Sequence, residues 1–210
     1  TLTELCGIPC YGGDHFEADD YLATLARLAR QRQLPVTVIT RDKDLGQLVD
    51  ERTHLFDPQS DKTLGVEELF DSKGVRPDQV VDMLALMGDP VDNVPGVRGI
   101  GIKTAAKLIT EFGSLDALLA NLDKVKGKTG EAIAAQRGIL PLSKSLVVLK
   151  DDVIVDFTLE SARVDPGRAD AVALGDQHAA VFGDRQPIDL LEAGLVSRTV
   201  GAALADAACQ

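Results

Sequence analysis

Strand-forming sequence is confined to one part of this chain. Val36-Thr-Val-Ile-Thr40 is a β-branched run of strand length, and Thr53 to Phe56 predicts a second strand. After Asp92 such signals stop for about fifty residues. Around the strands lie helical patterns. Leu22, Leu25, Ala26 and Ala29 follow helical spacing within 18–33, with arginines near the end and Pro35 as a stop. A short helix is expected over 42–50. Another is expected over 66–73, capped by Gly74. Pro77 suits a first helical residue, and 78–87 continues that helix. Alternating helix and strand implies an α/β unit with a parallel sheet. The chain beyond Asp92 must be largely helical.

In that second part, Lys103 to Phe112 reads as a helix closed by Gly113, and Ser114 as the N-cap of Leu115 to Asn121. Glu131 to Arg137 is expected to be helical. Leu146 to Leu149 and Val153 to Phe157 are short apolar runs without a firm assignment, and the Ala- and Asp-rich last fifty residues read as helical. At 210 residues, with 45% hydrophobic and 26% charged side chains, the chain can bury a core and is not of disordered composition. No apolar run is long enough to span a membrane. Cys6, Cys10 and Cys209 form no paired framework, so reduced thiols in a cytoplasmic protein are expected.

The formal charge of −11 argues, taken whole, against a nucleic-acid partner. It is unevenly spread, however. Residues 1–93 carry −9 and 151–210 carry −7, whereas 94–128 carry +3. A carboxylate metal site beside a phosphate-binding surface has this pattern, as do many solvated surfaces.

Carboxylates gather in three places: Glu17-Ala-Asp19-Asp20 at a helix start, Asp42-Lys-Asp44 just past a strand, and Asp89-Pro-Val-Asp92 in a loop. In open α/β sheets ligands bind beyond the carboxyl ends of strands. Crowded carboxylates are tolerable mainly around hard divalent cations. Each cluster alone also has an ordinary structural use, at a helix N-terminus or in a turn. Their co-occurrence gains weight from Pro95-Gly-Val-Arg-Gly99-Ile-Gly101-Ile-Lys103-Thr104-Ala105-Ala106-Lys107. Gly99 and Gly101 let a backbone approach closely, and Lys103 and Lys107 share one helical face. The spacing is not that of a nucleotide P-loop. It fits a helix–hairpin–helix that grips a DNA backbone without reading sequence, the alternative being a helix corner without a ligand.

Taken in order, Phe16-Glu-Ala-Asp-Asp20, Thr40-Arg-Asp-Lys-Asp44, Leu84-Ala-Leu-Met-Gly-Asp-Pro-Val-Asp-Asn93 and the glycine hairpin resemble the 5'-nuclease domains of bacterial DNA polymerase I and their stand-alone 5'-3' exonuclease relatives. Flap endonucleases are more distant members. The resemblance covers roughly residues 1–157. It implies a truncated, PIN-like α/β nuclease core over 1–76, a helix–hairpin–helix DNA-binding subdomain over 77–150, and a return strand, helical tail or linker over 151–210.

It also implies two Mg2+ or Mn2+ ions held by Glu17, Asp19, Asp20, Asp42, Asp44, Asp89 and Asp92, with Asp19, Asp20, Asp42 and Asp44 closest to the chemistry. Gly96, Arg98, Gly99, Gly101, Lys103, Thr104 and Lys107 would hold duplex DNA, with a monovalent cation such as K+ on the hairpin carbonyls. The implied substrates are DNA with a 5' flap or nick and RNA primers, in replication and repair, with a polymerase domain as a covalent neighbour. The chain begins at Thr1, and only sixteen residues precede Glu17. Family members have a longer segment there, carrying a first strand, two further aspartates and a basic arch. The resemblance therefore implies a shortened nuclease, incompletely active by itself, or else a non-catalytic DNA-binding module.

Overall fold

The structure is a computed structural model and describes residues 8–42 and 44–164. The helix expected in the last fifty residues falls almost wholly outside this range, as do Cys6 and Cys209.

Helix α1 spans Ala18–Gln31. The Asp20 carboxylate accepts from the Glu17 N–H at 3.4 Å, which satisfies a donor at its start. Its most buried residues are Tyr21, Ala23, Thr24 and Ala26, so the inward face is rotated from the expected Leu22–Ala29 stripe. The reason lies in distant partners. The Thr24 hydroxyl accepts from the Val153 N–H at 3.2 Å, which draws that side inward.

Strand β1 (Val36–Ile39) runs parallel to β2 (Thr53–Asp57), with Val36 opposite Thr53 and Ile39 opposite Phe56. A third strand, β3 (Lys62–Leu64), pairs antiparallel with β2. The described sheet is thus mixed, in the order β1-β2-β3, and not wholly parallel as expected. The connection from β2 to β3 is too short for a parallel crossover. Its turn is built by Asp57, which accepts from the Gln59 N–H at 2.9 Å and the Ser60 hydroxyl at 2.8 Å. A one-turn 3-10 segment, Asp44–Leu48, lies between β1 and β2.

Helix α2 (Val66–Lys73) ends at Gly74, whose φ of 74° closes the helix as expected. A 3-10 turn at Pro77–Gln79 leads into α3 (Val80–Met87). Val80, Met83, Leu84, Ala85 and Leu86 of α3 are all buried, as suits a helix that is apolar nearly all round. It packs against the Asp44–Leu48 segment, against α4 (Ile102–Phe112) and against α7 (Leu140–Val147). Gln79, only 1% exposed, donates its amide to the Ile109 and Gly113 carbonyls at 3.2 and 3.0 Å and so ties down the end of α4.

Ser114 caps α5 (Leu115–Ala120) by accepting from the Ala117 N–H at 3.1 Å. Helix α6 spans Gly127–Gln136, starting a turn earlier than expected. Val153–Phe157 forms no regular element, although Val153 is buried. Among the described residues, no helix is long and apolar enough to cross a membrane.

Candidate metal centre and nucleic-acid interface

The three carboxylate clusters meet. Asp44, Asp89 and Asp92 each offer a carboxylate oxygen, and these atoms lie within 4.8 Å of one another. Asp42 and Asp44 follow β1. The Thr40 hydroxyl accepts from the Asp42 N–H at 2.9 Å, and the Asp42 carboxylate accepts from the Asp44 N–H at 2.8 Å. This stacked turn sends both side chains off the end of the strand.

Asp89 is 3% exposed and accepts from the Val91 N–H at 2.8 Å. Its backbone pairs with Val94 in both directions, at 3.0 and 2.8 Å, which closes the 89–94 loop with Asp92 exposed in it. The helix-start cluster joins through electrostatics. Burial raises the Asp19 carboxyl above its ordinary value, and the charges of Asp42, Glu17, Asp20 and Asp92 push it further. Asp92 therefore belongs to both groups, and the seven expected carboxylates occupy one connected acidic field.

Such a field is unfavourable by itself, because every member raises the cost of ionising the next. Oxygen donors converging this closely fit a hard divalent cation. The donor set is all carboxylate, with no His or Cys, as hard, oxygen-seeking cations prefer.

Four residues after Asp92 the backbone reaches the hairpin. Gly96 lies so near α3 that an added Cβ would stand 2.2 Å from the Met87 carbonyl oxygen, and the Val97 N–H donates to the Leu86 carbonyl at 2.9 Å. Gly96 is thus half-buried and serves the approach of one backbone to another. The remaining hairpin residues face outward: Arg98, Gly99, Gly101, Lys103, Thr104 and Lys107 are exposed. Gly99 has a φ of 85°, and a Cβ at either Gly99 or Gly101 would meet nothing within 4 Å. Val97 and Ile100 anchor the turn in the core. Gly101 is the extended N-cap of α4, with no side chain to cover the first N–H groups.

Sequence reasoning missed several supporting residues. The Lys150 N–H donates to Asp20 Oδ1 at 2.8 Å. The Gln136 side chain accepts from the Arg98 N–H at 2.6 Å and fixes the hairpin to α6. Phe16 and Tyr21 meet edge to face, 6.5 Å between ring centroids, beside the first cluster. A backbone donor leaves no mark in a sequence, and a lone Gln or Phe has no spacing to read.

Residues 1–77 match the family model for the 5'-3' exonuclease N-terminal resolvase-like domain, and residues 75–170 match that for the 5'-3' exonuclease C-terminal SAM fold. The chain belongs to the 5'-3' exonuclease family. It is 42% identical over 165 residues to DNA polymerase I of Rhizobium leguminosarum, covering 78% of this chain and 16% of that polymerase. It is 41% identical over 167 residues to the thermostable DNA polymerase I of Thermus aquaticus, covering 80% of this chain and 20% of the relative. The chain thus spans about a fifth or less of these curated relatives.

Among solved structures it resembles the bacteriophage T5 D15 protein co-crystallised with metal ions. The TM-score is 0.59 at 28% identity, over 64% of this chain and 52% of that one. It also resembles the T5 D15 flap endonuclease in a pseudo-enzyme-product complex with DNA and metal ions, with a TM-score of 0.58 at 26% identity, over 64% of this chain and 50% of that one.

Proposed function

We propose that this chain is the metal-binding and DNA-gripping portion of a 5'-3' exonuclease or 5'-flap endonuclease that hydrolyses phosphodiester bonds in replication and repair. The observation that carries this reading is the approach of Asp44, Asp89 and Asp92 oxygens to within 4.8 Å, a few residues from an exposed glycine hairpin. The relatives described as DNA polymerase I, and the T5 protein complexed with DNA and metal ions, support it. Two Mg2+ or Mn2+ ions, when bound, would neutralise the phosphate and acidify a water for in-line attack. Glu17, Asp19, Asp20, Asp42, Asp44, Asp89 and Asp92 would hold them, Asp19 through Asp44 nearest the reacting phosphate.

Arg98, Gly99, Gly101, Lys103, Thr104 and Lys107 would hold the duplex backbone, and hairpin carbonyls would take a monovalent cation such as K+. Gly96 would help by placing the hairpin. The division at residues 76/77 belongs to the same proposal and is supported by family models that meet at 75–77. A linked polymerase, substrates with a 5' flap, nick or RNA primer, and a cytoplasmic site of action complete it.

The test is cleavage of a 5'-flap DNA by the 210-residue chain with Mg2+, with Mn2+ and with chelator. Metal-dependent cutting lost in Asp42→Ala supports the reading. If the chain binds duplex DNA but cuts nothing, even when a relative's N-terminal segment is supplied, it is a non-catalytic DNA-binding module.

A further inference from the structure

The half-buried side chain of Gln47 bonds three backbone groups. Its amide nitrogen donates to the carbonyl of Asp44 at 3.0 Å and to that of Val147, a hundred residues away, at 3.0 Å. Its amide oxygen accepts from the Leu149 N–H at 3.1 Å. Two donors and an acceptor on one planar group are what a carboxamide supplies, and neither Glu nor Met can replace them.

Val147 ends α7, and 148–150 form no regular element. Past Leu149 the chain runs along one face of α1. The Lys150 N–H donates to Asp20, the Val153 N–H to the Thr24 hydroxyl, and Arg27 Nε to the Asp151 carbonyl at 2.6 Å. Asp20, Thr24 and Arg27 are four and three residues apart, which is one side of a helix. Gln47 therefore stands where this segment begins, on the same one-turn element as Asp44. Leu149 packs against the core, but an apolar contact has no direction and lets a backbone slide. The three amide bonds fix where the segment lies. They join the turn that carries Asp44 to the donor that holds Asp20, two carboxylates from separate elements.

We propose that Gln47 is a positioning residue for the metal centre, setting the 147–150 segment so that the Lys150 N–H holds the Asp20 carboxylate in register with Asp44. The inference rests on the metal-binding reading above and deepens it. All three bonds go to main chain, so the effect of Gln47 on a bound ion is carried by Asp20 and Asp44.

The experiment is calorimetric titration of the full chain with Mn2+, at a temperature where circular dichroism shows each variant folded. Gln47→Met keeps the length without the amide. It should raise the Mn2+ Kd about 10–100-fold, the usual cost of losing a residue that orients a ligand. Gln47→Asn, whose amide is one methylene short of its partners, should act in the same direction and serves if the Met variant does not fold. Lys144→Met breaks ion pairs to Asp82 and Asp116 and should leave the Kd unchanged, which separates lost stability from lost positioning. In an Asp20→Asn chain the Gln47→Met change should cost much less. A Kd equal to the parent's in both Gln47 variants, a Lys144→Met chain weakened as much, or a cost undiminished by Asp20→Asn overturns the inference and leaves the metal centre standing. A parent chain that binds no Mn2+, or binds it no better than Asp44→Asn plus Asp92→Asn, overturns both readings.

Discussion

The Asp20 carboxylate accepts a hydrogen bond from the backbone N–H of Lys150 at 2.8 Å. A residue late in the fold therefore orients a carboxylate from the first helix. The bond uses no side-chain atom of Lys150. Lys150→Ala should leave Mn2+ affinity close to that of the parent chain, whereas Lys150→Pro removes the donor. Loss of a partner that orients a ligand typically costs about 10–100-fold in metal affinity, and calorimetric titration with Mn2+ would read it. Equal affinities in the two variants would exclude this role.

The acidic field predicts linkage between metal and stability. Asp19 is raised by burial and then by Asp42, Glu17, Asp20 and Asp92, so its charged form opposes folding above its ordinary 3.8 and ceases to as pH falls below it. At neutral pH without metal, Asp19→Asn should raise the melting temperature. Mg2+ or Mn2+ at one hundred times its Kd should stabilise the parent chain by about 2.7 kcal/mol. Thermal melts with and without metal give both numbers, and a metal increment undiminished in Asp44→Asn plus Asp92→Asn would contradict the assignment.

Away from the site, Asp50 sets an acid limit. Burial raises its carboxyl, but the Arg52 and Thr53 N–H donors, each at 2.8 Å, and the Arg30 guanidinium outweigh that and hold it below 3.8. A depressed carboxylate contributes stability that is complete above 3.8 and lost as pH falls through the lower folded value. Asp50→Asn should therefore lower the melting temperature at pH 7 and flatten its fall as pH drops below 3.8. A parallel offset at every pH would count against this cause.

A half-buried ion pair holds the helical part together. Asp82, 6% exposed, faces Lys144 Nζ at 2.8 Å and accepts from the Leu115 N–H at 2.9 Å, so α3, α5 and α7 meet at one carboxylate. Lys144→Met should cost about 1–3 kcal/mol, because it leaves a charge buried with only a backbone donor. Lys144→Met combined with Asp82→Asn should recover part of the loss. Urea unfolding of the three variants tests the coupling, and additive losses would refute it.

Elements with local punctuation were legible in the sequence. The αL glycine after α2 and the Ser114 cap of α5 sit where turn and cap chemistry put them. Strand β3 was not legible, because three residues, two of them exposed polar, carry no periodicity. Helix α7 was hidden by Pro141, which the first turn of a helix tolerates, so only the apolar stretch near its end stood out. The carboxylates were legible one cluster at a time through their spacing. Their convergence was legible only through the family resemblance and not from spacing, since it depends on the Asp89–Val94 bridge and on backbone donors such as Lys150 N–H.

Gly88 and Gly96 press two stretches of main chain together where side chains would collide. On the proposed reading this contact works as a ruler. It fixes the offset between where a duplex is clamped and where it is severed, and does so with backbone alone. Altering the lysines would change how tightly DNA is held, while the length of the released fragment would stay the same. Only an insertion or deletion between residues 88 and 96 would shift that length, and the two interlocked glycines leave no slack to absorb one.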